Sequence, residues 1–372
     1  MSWVKIIFLQ VVVFLALLEI GSYIATKNEL FLINETPGFY SDSDLPDILL
    51  GKTEKEPWGA WHASNRSFRH STSCFDVVMT FNEIGARDIS FEEVPADSIF
   101  LLGDSFAEGY GVSFENTSQY ILENLLDRNI LNFGASGSFG PLQQLILYQE
   151  FHNIPHDSLI VYILPANDFT DNDRSYSYWD SRRYRYRPYY GADENPLDPF
   201  YFPEAKPREF FSDPRTSTLQ AFIKQYFWFG NAARTARMLL MGDTYQALDG
   251  VPSYYYDATN AQQRNLVLAY EEILKIADGK DVLFVIVPGR HDISQYQTRA
   301  NRDSYKQQDW YRGLHRLTET DERVVSVLDL MDHLPNDTDS LFLRCDDHWG
   351  NKGNVWAADV IHQHVRETGL FE

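Results

Sequence analysis

A serine hydroxyl becomes a nucleophile when an imidazole can take its proton and a carboxylate holds that imidazole in place. Four short blocks of this chain supply the residue types. Gly103-Asp104-Ser105 follows the apolar run Ser98-Ile99-Phe100-Leu101-Leu102 and precedes a helical pattern. That placement sets the Ser105 hydroxyl and N–H at the mouth of a sheet; an ordinary helix-capping turn has the same local pattern. Asn132-Phe133-Gly134-Ala135-Ser136-Gly137 follows a second apolar run, and its Gly134 lets a backbone N–H come close to a ligand. Pro165-Ala166-Asn167-Asp168 follows a third, where the Asn167 amide can donate to an oxyanion. Cys345-Asp346-Asp347-His348-Trp349 precedes the last helical stretch and brings a histidine beside two carboxylates.

These blocks need elements to hold them. Strand-like runs lie at 98–102, 130–133, 159–163, 282–287 and 324–328, with helical patterns around 120–126, 142–151, 261–277 and 350–367. Alternating strand and helix signals predict an α/β fold, a flavodoxin-like, doubly wound parallel sheet with helices on both faces. In such sheets, sites lie beyond the carboxyl ends of the strands. The expected division is an N-terminal apolar segment at 1–25, an irregular arm at 26–94, the α/β core at 95–171 and 263–372, and an insertion at 172–262 between strands three and four. The first third of the insertion is crowded with tyrosines, and Arg182, Arg183, Arg185 and Arg187 interleave with them around Tyr184. Aromatic faces stack on sugars and arginines hold carboxylates, so this stretch reads equally as a cap for an acidic glycan or as a lid packed on the core.

Taken in this order after successive strands, the four blocks resemble the SGNH hydrolase superfamily, the GDSL-type esterases, acyl hydrolases and O-acyltransferases. The resemblance covers about 95–171 and 280–365. It implies Ser105 as nucleophile, His348 as general base and Asp346 as its carboxylate partner. It also implies an oxyanion hole formed by Ser105, Gly134 and Asn167. Asn82-Glu83-Ile84-Gly85-Ala86-Arg87-Asp88 is similar to the N-x-x-G-x-R run of membrane-anchored bacterial members, as is the tail Gly350-Asn351-Lys352-Gly353. The implied reaction is cleavage or transfer of an acyl ester, with O-acetyl groups of a cell-envelope glycan as the expected substrate. The other class is an inactive glycan-binding or scaffold member of the same fold. The chain departs from the common pattern at Phe106, where many members have Leu, and at Pro165, often Gly. It departs again at Cys345, where many carry the carboxylate; the D-x-H spacing of other members fits Asp346, and Asp347 points elsewhere in a regular backbone. There is no G-x-S-x-G elbow. Ser136 and Ser138 are rival serines that do not follow a strand directly.

Composition limits the partners. The chain has 372 residues, with 32 Lys plus Arg against 53 Asp plus Glu, a formal charge of −21, which argues against a nucleic-acid partner. Asp346, Asp347, His348, His291 and Asp292 could be read as metal ligands, but neighbours at i, i+1 and i+2 rarely converge on one ion; no metal and no cofactor is expected. Pro288-Gly289-Arg290-His291 follows strand four, and Arg290 and His291 are further candidates for substrate contact, with a solvated loop as the alternative. Trp3 to Ala25 is apolar apart from Lys5 and Glu19. It reads as an uncleaved anchor, with a cleaved signal as the alternative; Lys5 on the short side predicts the catalytic part outside the cytoplasm. Cys74 and Cys345 would then share an oxidising space, either paired or free. Oligomeric state is not legible.

Overall fold

The computed structural model describes residues 3–28, 52–71, 75–137, 139–175, 186–192, 194–202, 227–230, 232–233, 236, 253–319, 324–343 and 346–371. Cys74 and Cys345, Ser138, Arg182, Arg183, Tyr184 and Arg185 lie outside them.

Five short parallel strands form the centre: β5 (Ile99–Leu102), β6 (Ile130–Asn132), β7 (Ser158–Ile163), β8 (Asp281–Ile286) and β9 (Val325–Asp329). Their order across the sheet is β6-β5-β7-β8-β9, with the reversal of direction at β5. Every side chain of β5, β6 and β7 is buried, as is all of β8 beyond Asp281. Continuous apolar runs of this kind belong to strands covered on both faces. Burying each large aliphatic side chain contributes roughly 1.5–3 kcal/mol. This is a doubly wound α/β architecture with a parallel sheet, as the alternation of strand and helix signals predicts.

The connecting helices are α2 (Ser105–Glu108), α3 (Ser118–Leu126), α4 (Pro141–Phe151), α5 (Pro165–Asp171), α6 (Tyr254–Asp257), α7 (Asn260–Ile276), α8 (Arg290–Thr298), α9 (Asp309–Arg316) and α10 (Asn351–Thr368). α3 packs on α10, while α4 and α9 both pack on α7. Of the apolar set in α3, Leu122 is fully buried whereas Tyr120 and Leu125 are 36% exposed. The inner face of α3 is polar instead: Ser118 accepts from the Tyr162 hydroxyl at 3.1 Å, and Gln119 donates to Asp88 at 3.0 Å. Asn354 on α10 accepts the Ser118 N–H at 2.9 Å and so ties the two helices together.

The arm expected to be irregular contains two antiparallel ladders. β1 (Lys52–Glu56) pairs with β2 (Gly59–His62), and β3 (Arg66–Ser71) pairs in full register with β4 (Asp76–Phe81). At the N-terminus, α1 (Trp3–Lys27) contains a 23-residue stretch, Trp3–Ala25, long and apolar enough to cross a membrane, with none of it buried inside the molecule. Of the insertion, residues 172–175 continue from α5, and residues 186–192 and 194–202 are tied by a bridge between Tyr189 and Phe200. Tyr189 and Tyr190 are buried, Tyr190 within the main core cluster.

Candidate active site

Ser105 is the first residue of α2, one turn beyond β5. Asp104 caps that turn, its Oδ1 accepting the Phe106 N–H at 3.0 Å. A cap of this kind directs the first helical N–H groups outward, and the N–H of Ser105 has no acceptor among the described residues. His348 Nε2 lies 2.7 Å from Ser105 Oγ. On the far side of the ring, His348 Nδ1 is hydrogen-bonded to Asp346 Oδ1, which also accepts the His348 backbone N–H at 3.0 Å. The sequence thus places Asp346 in line with the imidazole and, as expected, turns Asp347 away. Asp347 faces Arg290 Nε at 3.4 Å.

The electrostatics follow from those contacts. Burial pulls the His348 imidazole toward its neutral form. The hydrogen bond and charge of Asp346, with the charges of Asp104 and Asp347 behind them, outweigh it and raise the pKa above the ordinary histidine value. Burial pushes Asp346 up, and the His348 hydrogen bonds and charge more than reverse that, so its carboxyl is held below the usual range. Such a pair keeps one tautomer, with Nδ1–H on Asp346 and the Nε2 lone pair facing Ser105.

The other expected donors sit around the same point, with one difference. Asn167, on α5, points its Nδ2 at Asp104 Oδ2 across 3.5 Å. Gly134 follows β6 as expected, but its N–H donates to Asn132 Oδ1 at 2.8 Å. Its need to be glycine is steric: a Cβ there would lie 2.4 Å from the Glu108 nitrogen and 2.6 Å from the Ala107 side chain. Gly134 therefore lets the strand-β6 turn lie directly against the turn that carries Ser105.

Two substrate expectations change. Arg187 is only 3% exposed; its guanidinium donates to the Asp171 carbonyl at 2.9 Å and pairs with the Asp171 carboxylate at 3.5 Å. It fastens the insertion to α5 and does not face a ligand. Arg290 donates to the Leu343 carbonyl at 2.8 Å and lies over the Phe342 ring, so it braces the loop that carries His348. His291 is half-buried on the first turn of α8. Of the rival serines, Ser136 is buried and both its N–H and hydroxyl donate to Glu108.

Sequence reasoning missed the physical basis of the 82–88 run. Asn82 folds the segment by accepting the Ile84 and Ala86 N–H groups, and Gly85 turns it at φ +81° against Trp61. Arg87 is thereby aimed at the end of α2, donating to the carbonyls of Glu108 (2.8 Å), Gly109 and Val112 (2.6 Å). Cations complement a helix C-terminus, so Arg87 anchors the nucleophile turn from below. Asp88 accepts the Asn132 N–H at 2.7 Å. Also missed was Tyr110, whose ring lies 4.2 Å from His348 and meets His70 and Phe75 of the hairpin region at its other edges. Burial lowers the His70 pKa to about 4, so that imidazole is neutral at ordinary pH. Arg66 to Ser71 holds a single apolar residue, Phe68, so no period-2 signal marked this wall in the sequence.

The parallel sheet, of order 2-1-3-4-5, carries a serine, a histidine and an aspartate that converge beyond its carboxyl edge. Residues 252–372, which carry β8, β9, Asp346 and His348, match the family model described as ALGX: SGNH hydrolase-like domain, acetyltransferase AlgX. No curated protein matches the chain. Among solved structures, a lipase/acylhydrolase from Enterococcus faecalis is 13% identical, with 74% of this chain and 97% of that one covered and a TM-score of 0.38. A Clostridium thermocellum family 3 carbohydrate esterase is 9% identical, with 73% and 96% covered and a TM-score of 0.37.

Proposed function

We propose that the protein is a serine acyl hydrolase or acyltransferase acting on an acyl ester, with O-acetyl groups of a cell-envelope glycan as substrate. The observation that carries this reading is the unbroken line Ser105 Oγ, His348 Nε2, His348 Nδ1, Asp346 Oδ1. In the proposed reaction, His348 Nε2 takes the Ser105 proton as Oγ attacks the ester carbonyl. The Asp346 carboxylate stabilises the imidazolium that forms. Collapse of the tetrahedral adduct breaks the bond to the leaving alcohol, which takes the proton from His348, and leaves an acyl-serine. Water or a sugar hydroxyl then attacks with its proton going to His348, releasing acid or transferred ester and restoring Ser105. The oxyanion falls to the N–H of Ser105 and the amide of Asn167. The N–H of Gly134 joins them only when Asn132 releases it. Each such donor is worth roughly 3–4 kcal/mol.

Support for the acetyl-transfer side comes from the family description matched over 252–372. The apolar stretch Trp3–Ala25 supports an uncleaved anchor, with the catalytic part outside the cytoplasm. A fluorophosphonate probe tests the central claim. Labelling is expected in the parent protein and in Ser136→Ala, and loss of at least about 10³-fold in Ser105→Ala. Well-folded protein that neither labels nor releases p-nitrophenol from p-nitrophenyl acetate would instead point to the inactive glycan-binding class. Acyl release and transfer measured on acetylated glycans separate hydrolase from transferase.

A further inference from the structure

Glu19 is an acid in the outer part of an otherwise apolar helix, which is costly in a membrane unless the carboxylate is paired. It is paired across more than 200 residues. Glu19 Oε1 accepts the Trp228 N–H at 2.6 Å and Oε2 accepts the Phe229 N–H at 2.9 Å. Trp228 and Phe229 open a helical turn in the insertion, so the carboxylate meets N–H groups that no residue of that turn can satisfy. Tyr23, one turn beyond Glu19, meets the Trp228 ring edge-on at 5.3 Å, and Trp228 is only 3% exposed. The flanking Phe227 and Phe229 are 42% and 38% exposed. At 1.5 Å per residue, Glu19 lies about 24 Å along the apolar stretch from Trp3 and about 9 Å short of its end at Ala25, so in a core of about 30 Å it sits in the outer part, within a turn or so of the interface where aromatic side chains gather.

We propose that residues 227–229 form a membrane foot: the insertion docks on the anchor through Glu19 and Tyr23, and rests Phe227 and Phe229 in the lipid headgroup region. This rests on the reading of α1 as a retained anchor and is independent of the Ser105 chemistry. The partner is a lipid surface because the two exposed phenyl rings adjoin a helix whose own apolar side chains are mostly exposed, with none fully buried. The described parts of the insertion touch the core at Arg187 and the anchor at Trp228.

The test uses the full-length protein in liposomes of phosphatidylethanolamine and phosphatidylglycerol, with the photo-crosslinker p-benzoylphenylalanine placed singly at 227, at 229, or at 355, a solvent-facing position on α10. Lipid adducts read by mass spectrometry are expected at 227 and 229 at about tenfold the level at 355. Glu19→Ala should lower them severalfold, and Glu19→Gln, which keeps one acceptor, by less. Adducts at 227 and 229 no higher than at 355, in protein that sediments with the liposomes and retains residues 1–25 by intact mass, overturn the foot. Adducts indifferent to Glu19→Ala overturn the docking. Loss of residues 1–25 from the intact mass overturns the anchor reading and the foot with it, while fluorophosphonate labelling reports separately on Ser105.

Discussion

Two serine–histidine–carboxylate groups lie within a few residues of one another, and they are wired in opposite orders. In the first, His348 stands between Ser105 and Asp346. In the second, Glu108 stands between His62 and Ser136: His62 Nε2 meets Oε1 at 2.9 Å, while the Ser136 N–H and hydroxyl both donate to Oε2. The middle member decides what each group can do. An imidazole with a pKa near working pH takes a hydroxyl proton and gives it back. A carboxylate in the middle only accepts hydrogen bonds from both sides, which makes a lock. Burial agrees with the wiring. Ser136, Glu108 and His62 are all closed off, with the His62 ring stacked on Phe81 at 3.8 Å. Asp346 and His348 are half-open to solvent. The lock joins the arm to the end of α2, and so supports the group that reacts.

The sharpest contrast is to disable each carboxylate. Asp346→Asn should cut ester turnover by about 10²–10⁴, since the imidazole loses the charge that stabilises its protonated form and an amide N–H can face Nδ1 and hold the wrong tautomer. The pH profile gives an independent reading. His348 must be neutral to act, and its pKa is raised, so parent activity is lost as pH falls through a value above 6.5. Removing Asp346 leaves burial in command, and the acid limb should move to lower pH. Glu108→Gln should leave that limb in place and instead lower stability by about 2–4 kcal/mol, read by thermal or denaturant unfolding, because a buried charge that holds His62 and Ser136 is lost. A limb that moved with Glu108 and not with Asp346 would reverse the assignment.

Gly134→Ala probes the contact between the two groups. The new Cβ meets backbone at Glu108 N, so α2 or the β6 turn must shift. Overpacking of this kind costs about 1–3 kcal/mol. A displaced Ser105 should lower kcat by at least about tenfold. Retained kcat with lost stability would show that the nucleophile turn is held by Arg87 and Asp104 alone.

How much of this was readable beforehand depended on how local the cause was. β5, β7 and β8 announced themselves as unbroken apolar runs such as Ile99-Phe100-Leu101-Leu102, because strands buried on both faces have no polar side to blur the pattern. The order Ser105, Gly134, Asn167, His348 could be read because each follows or precedes such an element. The arm reads as irregular because β1 is Lys-Thr-Glu-Lys-Glu, with no apolar residue at all, and exists only through its pairing with β2. The Arg87 anchor and the Asn132 acceptor on Gly134 are bonds to distant backbone or to a neighbouring side chain's rotamer, which spacing does not encode. Arg187 misled for the related reason that its neighbours in sequence are arginines while its partner, Asp171, comes from α5.

The smallest effect is expected at Asp347, and it tests how strictly the wiring discriminates between two adjacent carboxylates. Asp347 lies close enough to contribute to the raised His348 pKa, but its own contact is the Arg290 ion pair at 3.4 Å, with both side chains partly exposed. Pairs of that kind contribute about 0–1 kcal/mol. Arg290 also keeps its bond to the Leu343 carbonyl and its place over Phe342 when Asp347 is gone, so the His348 loop stays braced. Asp347→Asn should therefore shift the acid limb in the same downward direction as Asp346→Asn but by much less, with kcat within about threefold of the parent. Equal losses from the two substitutions would mean that charge near the imidazole, and not the hydrogen bond to Nδ1, sets the activity of Ser105.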